Sequence, residues 1–278
     1  MKTILITGTT SGIGKVTALE LARAGHHVVM ANRNRAKSEM VRHEIIEATA
    51  NDNVNIIDLD LASKESIVNC AKTFFESYSS LDILINNAGL MSNEQVITAD
   101  GFELQFAVNA LSPFQLTLEL LPALEAAAPS QIIFVTSLMH RFGKLNFDSF
   151  QGGNKYSGSG SYGQSKLAMT MLACELAEQL RSRDISVNSL HPGAVNTGIL
   201  KNYSALSQFF LKLFFTSPEK GAKTSLLLAG MDPASMPTGE YFDSGKKGKA
   251  HKLTTDLSAR KKLWEECCEC IGITADLG

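Results

Sequence analysis

The chain has 278 residues, of which 44% are hydrophobic and 19% are charged, and its formal net charge at pH 7 is −2. This composition is typical of an ordinary globular protein, and the small net charge argues against a polyanionic partner such as nucleic acid. The start, MKTILITG, lacks the long apolar region of a signal peptide, and the apolar run from Phe209 to Phe215 is too short to span a bilayer. We therefore expect a cytoplasmic protein without a transmembrane segment.

Short strand-like apolar runs alternate with longer stretches of helical periodicity along the chain. This alternation predicts a mainly parallel sheet with helices on both faces. No internal repeat or low-complexity linker divides the sequence, so we expect one doubly wound α/β domain over residues 1–278, with about seven strands. The predicted strands are Thr3–Thr7, His27–Ala31, Val54–Leu59, Ile83–Asn86, Gln131–Thr136, Ile185–His191 and Glu240–Phe242. The predicted helices are one carrying Val16, Leu19 and Ala22, then Arg35–Ala50, one that Ser63 opens, Gly101–Glu125, Tyr162–Arg181 and Pro218–Gly230.

A glycine-rich turn separates the first predicted strand from the first predicted helix. Glycine permits a tight turn and a close approach of the backbone to a ligand, and the amino terminus of a helix attracts phosphate. In this strand–turn–helix setting the turn predicts a loop that binds the pyrophosphate of a dinucleotide. The predicted contacts are Gly8, Thr10, Ser11, Gly12, Ile13 and Gly14.

The end of the second predicted strand indicates which dinucleotide the loop prefers. An NAD-selective site places an acid there to hold the free ribose 2′-hydroxyl, but the segment from Ala31 to Arg35 contains no acid. A 2′-phosphate would instead pair with the guanidinium of Arg33, with Lys15 as a second cation. We predict NADP(H); the alternative is that these are surface cations without selectivity.

Tyr162 and Lys166 are four residues apart near the start of a predicted helix, so their side chains share a face. An ammonium group beside a phenol favours the phenolate and lowers the pKa of the phenol. The pair is therefore a candidate acid/base for an alcohol or a carbonyl. The same spacing also occurs on solvated helix faces, and the pair alone does not decide between the two.

Together these motifs resemble the short-chain dehydrogenase/reductase family, over a region from Thr7 to about Thr197. The resemblance implies a Rossmann fold and a hydride transfer between a nicotinamide and a carbonyl or alcohol. The matching segments are the T-G-x-x-x-G-x-G loop, Asn86-Asn87-Ala88-Gly89, the Tyr162-x-x-x-Lys166 pair, and Pro192-Gly193 with Val195 and Thr197.

The resemblance also implies four catalytic residues: Asn109, Ser137, Tyr162 and Lys166. Tyr162 would deliver or accept the proton, and Ser137 would hydrogen-bond the substrate oxygen. Lys166 would bind the nicotinamide ribose and lower the pKa of the tyrosine. Asn109 would hold a water that relays protons to Lys166.

Further cofactor contacts follow from the same resemblance. Asp60 and its neighbour Leu61 would face the adenine, and Lys166 and Tyr162 would also contact the cofactor. The remaining contacts lie beneath the adenosine at Asn87, Ala88 and Gly89, and over the nicotinamide at Pro192, Gly193, Val195 and Thr197.

Two segments bear on the substrate. Residues 138–161 form an insert that resembles the retinol dehydrogenase and protochlorophyllide reductase group and ends in a Gly/Ser-rich stretch, for which we expect flexibility. Residues 198–217 lie where the family places a substrate lid. Their apolar stripe predicts a mobile cover over a lipophilic aldehyde, ketone, retinal or alcohol, a helix packed on the core, or peripheral membrane contact through Phe209, Phe210, Phe214 and Phe215.

The remaining candidates favour structural interpretations. Tyr156 has Gly160 four residues later, so it lacks the lysine partner of Tyr162. We expect His140 and His191 to be structural, Cys267 and Cys270 to be reduced thiols on a terminal helix, and no bound metal. The alternatives to an NADP-dependent oxidoreductase are a dinucleotide-sensing regulatory protein on the same fold and a protochlorophyllide-type reductase. The oligomeric state, monomer or homo-oligomer, is left open.

Overall fold

The computed structural model describes residues 1–153, 155–193 and 217–274, and these contain an eight-stranded sheet. In the sheet the strands lie in the order β3-β2-β1-β4-β5-β6-β7-β8. The strands are β1 (Thr3–Thr7), β2 (His27–Asn32), β3 (Val54–Asp58), β4 (Ile83–Asn86), β5 (Ser130–Val135), β6 (Ile185–His191), β7 (Tyr241–Asp243) and β8 (Lys246–Lys247). All neighbouring pairs are parallel except β7 and β8. The predicted doubly wound α/β fold is confirmed.

The strand β8 was not predicted, and it has only two residues. It joins β7 through a two-residue turn in which Ser244 and Gly245 have φ of 51° and 83°. Two successive residues at positive φ are typical of the tight turns that connect antiparallel strands. A short hairpin therefore ends a sheet that is otherwise parallel.

The helices cover both faces of this sheet. Residues of β1 alternate between the faces, with Ile4 and Ile6 in one core and Leu5 in the other. The helices are α1 (Gly12–Arg23), α2 (Arg35–Thr49), α3 (Lys64–Ser77), α4 (Leu104–Phe106), α5 (Ser112–Glu119), α6 (Leu121–Ala126), α7 (Gly158–Gln179), α8 (Pro218–Gly230) and α9 (Leu257–Ile271). None of the helices in the described part of the chain is long and apolar enough to cross a membrane.

The prediction of one continuous helix over Gly101–Glu125 is wrong in its start and its continuity. The helical region begins at Leu104, continues as a π-helical segment over Ala107–Leu111, and is interrupted between α5 and α6. Proline has no N–H to donate to the carbonyl four residues earlier. Pro113 and Pro122 therefore leave two carbonyls without their usual partners, and the helix widens before the first proline and breaks before the second.

The end of the insert is helical from Gly158 onward, whereas we expected a flexible Gly/Ser-rich stretch. Ser157 caps the helix by accepting a hydrogen bond from the Gly160 amide. A side chain at Gly158 would meet the Ser92 carbonyl, so this glycine permits close packing. The predicted lid, residues 198–217, lies outside the described residues except for Ser217.

Candidate active site

The predicted site residues lie at the carboxyl edge of the sheet, around the ends of β1, β4, β5 and β6. The strand order reverses between β1 and β4, where the chain crosses from one half of the sheet to the other. Ligands in open parallel sheets bind at such a switch point. The topology thus brings the glycine loop and the catalytic candidates to one edge.

The glycine loop has the backbone that a phosphate site requires. Gly8 and Gly12 have φ of 73° and 57°, where side chains are strained. A Cβ at Gly14 would collide with the Gly8 carbonyl oxygen and Asn87 Nδ2. The side chain of Ser11, which precedes α1, makes no capping hydrogen bond, so it does not occupy the first-turn amides. The loop therefore presents its backbone to an anion at a helix amino terminus, and it fits a pyrophosphate.

Asn87 holds this loop against the end of β4. Its Nδ2 donates to the Thr7 carbonyl at 2.8 Å and to the Gly8 carbonyl at 3.2 Å. In return, Thr7 Oγ1 accepts hydrogen bonds from the Asn87 and Ala88 amides at 3.1 and 2.9 Å. A Cβ on Gly8 would lie 2.9 Å from Ala88, so the two segments touch through small residues.

A second amide side chain, which was not predicted from the sequence, supports the loop from β2. Asn32 is 4% exposed; its Oδ1 accepts from the Thr9 amide at 2.7 Å and its Nδ2 donates to Thr9 Oγ1 at 2.8 Å. The pair spans 23 residues of sequence. The only sequence signal is a polar residue at the end of an apolar strand, directly before Arg33.

The two predicted phosphate cations differ in their surroundings. Arg33 is exposed and has no ion-pair partner among the described residues. Lys15 forms an ion pair with Glu44 of α2. Arg33 is therefore free to pair with a 2′-phosphate, whereas Lys15 would first have to leave its carboxylate partner.

Asp60 and Leu61 lie in the turn between β3 and α3. Asp60 is half-buried, and its Oδ1 accepts a hydrogen bond from the Ala62 amide at 3.0 Å. Leu61 is buried, and its carbonyl accepts from Ser112 Oγ at 2.6 Å. The turn that carries both residues is thus fixed by one hydrogen bond within the turn and one from α5.

The structure brings the four predicted catalytic residues together. Tyr162 hydrogen-bonds Ser137 across the gap between α7 and the end of β5. Lys166 is 3% exposed, and its Nζ donates to the Val135 carbonyl at 3.1 Å and lies 5.9 Å from the centre of the Tyr162 ring. A substrate oxygen beside Tyr162 and Ser137 would meet both hydroxyls.

Gly89 marks the point where Asn109 approaches Lys166. A Cβ on Gly89 would lie 3.1 Å from both Asn109 Oδ1 and Lys166 Nζ. Asn109 is buried in the π-helical segment; its Oδ1 accepts from the Leu90 amide at 2.8 Å and its Nδ2 donates to the Leu90 carbonyl at 2.9 Å. Asn109 Nδ2 also donates to Ser165 Oγ at 3.0 Å, and Ser165 directly precedes Lys166 on α7.

Burial shifts the pKa values of both Tyr162 and Lys166. Burial raises the pKa of Tyr162, and the hydrogen bond with Ser137 acts in the opposite direction. This increase is opposite to the lowering we predicted from the Tyr–Lys spacing. The physical reason is that the phenol is removed from water and Lys166 Nζ donates to a carbonyl instead. Burial also lowers the pKa of Lys166 to about 8.

His140 lies directly behind Ser137. It is fully buried, its Nδ1 is 2.6 Å from the Ser137 carbonyl oxygen, and its ring packs on Tyr241 at 4.7 Å. Burial lowers the pKa of His140 to about 4, so the ring is neutral at neutral pH and its Nδ1 carries the proton donated to that carbonyl. His191 Nδ1 accepts from the Leu138 amide at 3.2 Å. Both histidines support the backbone around Ser137.

Other predicted positions lie near the site or away from it. Pro192 and Gly193 follow β6, and Gly193 has a φ of 89°. Val195 and Thr197 lie outside the described residues. Cys267 is buried on α9, far along the chain from the catalytic cluster, and burial raises the pKa of its thiol. Within the described ranges, no group of three or more His, Cys, Asp or Glu residues could hold a metal ion.

Comparison with known proteins identifies close similarity over nearly the whole chain. A family model described as short chain dehydrogenase matches residues 2–207. Retinol dehydrogenase 13 of Homo sapiens is 38% identical over 283 residues, which cover 99% of this chain and 86% of that protein.

Two solved structures resemble this one at similar coverage. An uncharacterized protein from Mycobacterium Paratuberculosis has a TM-score of 0.80 and 29% identity, covering 100% of this chain and 96% of that one. The Pseudomonas aeruginosa RhlG/NADP active-site complex has a TM-score of 0.72 and 25% identity, covering 87% and 94%.

Proposed function

The chain belongs to the short-chain dehydrogenase family of oxidoreductases, and from that premise we propose that it transfers a hydride between NADP(H) and the carbonyl or alcohol of a lipophilic small molecule. The observation that carries the proposal is the Tyr162–Ser137 hydrogen bond beside the buried Lys166, at the sheet edge that also holds the glycine loop. We take the reaction to occur on one Rossmann-type domain formed by residues 1–278.

Bound NADP(H) would supply or accept the hydride. Ser137 Oγ would hydrogen-bond the substrate oxygen, and Tyr162 would give that oxygen its proton during reduction or take it during oxidation. The pKa of Tyr162 is raised by burial, so the phenol holds its proton at neutral pH, as the proton donor of a reduction must.

Lys166 and Asn109 would assist the proton transfer without contacting the substrate oxygen themselves. A charged Lys166 stabilises the phenolate that remains after Tyr162 gives up its proton. Asn109 Oδ1 and Lys166 Nζ converge at Gly89, which supports the role of Asn109 in holding a water beside the ammonium group. Because the pKa of Lys166 is about 8, this assistance is lost as the pH rises past that value.

The NADP(H) preference is supported by Arg33, which is exposed at the end of β2 where an NAD-selective site would hold an acid. The similar Pseudomonas aeruginosa protein was solved as a complex with NADP. A fluorescence titration with NADPH and NADH tests the preference. Tighter binding of NADPH is expected, and tighter binding of NADH would overturn it.

The lipophilic substrate is supported by exposed apolar side chains next to Ser137. Leu138 is 36% exposed and Phe142 is 72% exposed on the short helix that follows it. The relative from Homo sapiens is named a retinol dehydrogenase, so a retinal-like aldehyde is a natural first candidate, with other aldehydes and ketones beside it. A cytoplasmic location stays a prediction from the sequence.

The experiment that tests the function is an NADPH-consumption screen over aldehydes, ketones and quinones, including retinal, with Tyr162→Phe as the blank. Turnover of an apolar carbonyl by the wild type alone is expected. NADPH binding without turnover of any carbonyl would favour the dinucleotide-sensing alternative and contradict the proposal.

A further inference from the structure

Glu103 is a buried carboxylate outside the four catalytic residues. It is 2% exposed and directly precedes α4, whose π-helical continuation carries Asn109. Its Oε1 accepts from the Gln105 amide at 3.0 Å and its Oε2 accepts from the Phe106 amide at 2.9 Å. Glu103 therefore satisfies the first amides of the helical region that positions Asn109.

The same carboxylate also contacts the start of α7. Ser161 Oγ donates to Oε2 at 2.7 Å, and the Tyr156 hydroxyl shares its proton between Oε1 at 3.3 Å and the Ser92 carbonyl at 3.1 Å. Ser161 directly precedes Tyr162 and is 58 residues from Glu103 in sequence. One carboxylate thus accepts hydrogen bonds from two segments that each lead to a catalytic residue.

Gln105 also links the start of α4 to the start of α7. Its Nε2 donates to the Tyr156 hydroxyl at 2.6 Å and to the Gly158 carbonyl at 3.0 Å. Burial and the nearby Glu103 raise the pKa of Tyr156, so the hydroxyl keeps the proton that it donates. We name Glu103, Gln105, Tyr156 and Ser161 the Glu103 network.

The first turn of α7 needs such support from outside the helix. Its residues, Gly158 to Ser161, alternate glycine with serine, and both are weak helix formers. Within the described residues, Glu103 has no cationic partner, so its buried charge depends on these neutral donors. Loss of one donor weakens both the helix start and the satisfaction of the carboxylate.

We infer that Glu103 is a positioning residue for the reaction, because its carboxylate fixes the start of α7, and with it Tyr162, relative to Asn109. The inference rests on the proposed function of Tyr162. It predicts that a small change at Ser161, whose hydroxyl donates to Glu103 and has no part in the proposed proton transfer, alters the chemical step. A capping residue that served stability alone would leave that step unchanged.

Ser161→Ala removes one hydroxyl from the Glu103 network and leaves the other three donors in place. We expect kcat to fall about tenfold, as for one lost hydrogen bond to a charged group, while the Kd of NADPH stays within about twofold. Ser161→Thr, which keeps the hydroxyl, should restore kcat. Ser159→Ala is the matched control, because Ser159 Oγ lies 3.5 Å from Ser157 Oγ and not at Glu103.

A double-mutant cycle with Glu103→Gln tests whether Ser161 acts through the carboxylate. If it does, Ser161→Ala lowers kcat far less in the Glu103→Gln background than in the wild type. Equal losses in both backgrounds, or a kcat for Ser161→Ala equal to that of Ser159→Ala, would overturn the inference.

Hydrogen exchange separates this inference from the proposed function. In the unliganded proteins, Ser161→Ala should speed amide exchange in residues 158–166 and also in residues 103–109, whether or not a substrate has been found. Unchanged exchange in residues 103–109 would overturn the inference. Absence of turnover in every variant, wild type included, would instead contradict the function.

Discussion

The glycine loop and the catalytic cluster lie at the same edge of the sheet, but different contacts hold them in place. The loop is fixed by backbone geometry and neutral amides, with Gly8 at a φ of 73° and Asn87 donating to two carbonyls. The cluster is fixed by titratable groups removed from water, among them Lys166, His140 and Glu103.

Because of this difference, substitutions in the two regions should impair the protein in different ways. A substitution in the loop acts through steric exclusion and should change cofactor affinity at any pH. A substitution or a proton in the cluster changes a buried charge, so it should change the chemical step or the pH dependence of stability. The following tests address this contrast, from the largest expected effect to the smallest.

Lys166→Met should lower kcat by about 100-fold or more, because it removes a buried ammonium that would stabilise the Tyr162 phenolate. Steady-state rates at saturating NADPH measure the effect. Lys144→Met, on the exposed surface of the insert, is the control. A kcat for Lys166→Met within about threefold of the wild type would contradict a role for this charge.

His140 should make the protein less stable in acid. Its pKa is 6.5 in an unfolded chain and about 4 in the fold, so the unfolded state binds the proton first. The contribution of the neutral ring is present above pH 6.5 and is lost as the pH falls to about 4, by up to about 3 kcal/mol. Urea unfolding across this range should show a shallower pH dependence for His140→Gln, and parallel curves would contradict the assignment.

Gly14→Ala should weaken NADPH binding by about 10- to 100-fold, since the added Cβ collides with the Gly8 carbonyl and Asn87 Nδ2. Gly230→Ala, where nothing lies within 4 Å of the added Cβ, is the matched control. Fluorescence titration gives both affinities. If Gly14→Ala leaves the affinity unchanged and lowers kcat instead, the contrast between the two regions fails.

Arg33→Ala should weaken NADPH binding by about tenfold and leave NADH binding unchanged, as expected for one lost ion pair at an exposed position. Parallel titrations with the two cofactors decide the point. Equal losses for both cofactors would show that Arg33 does not contact the 2′-phosphate.

The sequence predicted those features that depend on local pattern. The bounds of β4, β6 and α8 agree with the prediction at both ends, because apolar runs and an initial proline mark them directly. The candidate catalytic residues also lie together as expected, since Tyr162 and Lys166 share a helix and Ser137 lies two residues after the end of β5.

The features that were missed depend on contacts distant in sequence. The helical first turn of α7 overrides a Gly/Ser composition because Ser161 bonds to Glu103, 58 residues away. The ion pair of Lys15 with Glu44 and the burial that raises the pKa of Tyr162 arise only once the helices pack. Composition and local spacing do not reveal which distant residues will come into contact.

Tyr162→Phe tests the central claim most directly, because it removes one hydroxyl from the cluster and leaves the glycine loop intact. NADPH affinity and turnover should be measured on the same preparation with the best carbonyl from the substrate screen. We predict a Kd within about twofold of the wild type and a loss of kcat of about 100-fold or more. Near-normal turnover by this variant would contradict the assignment of Tyr162 as the acid/base.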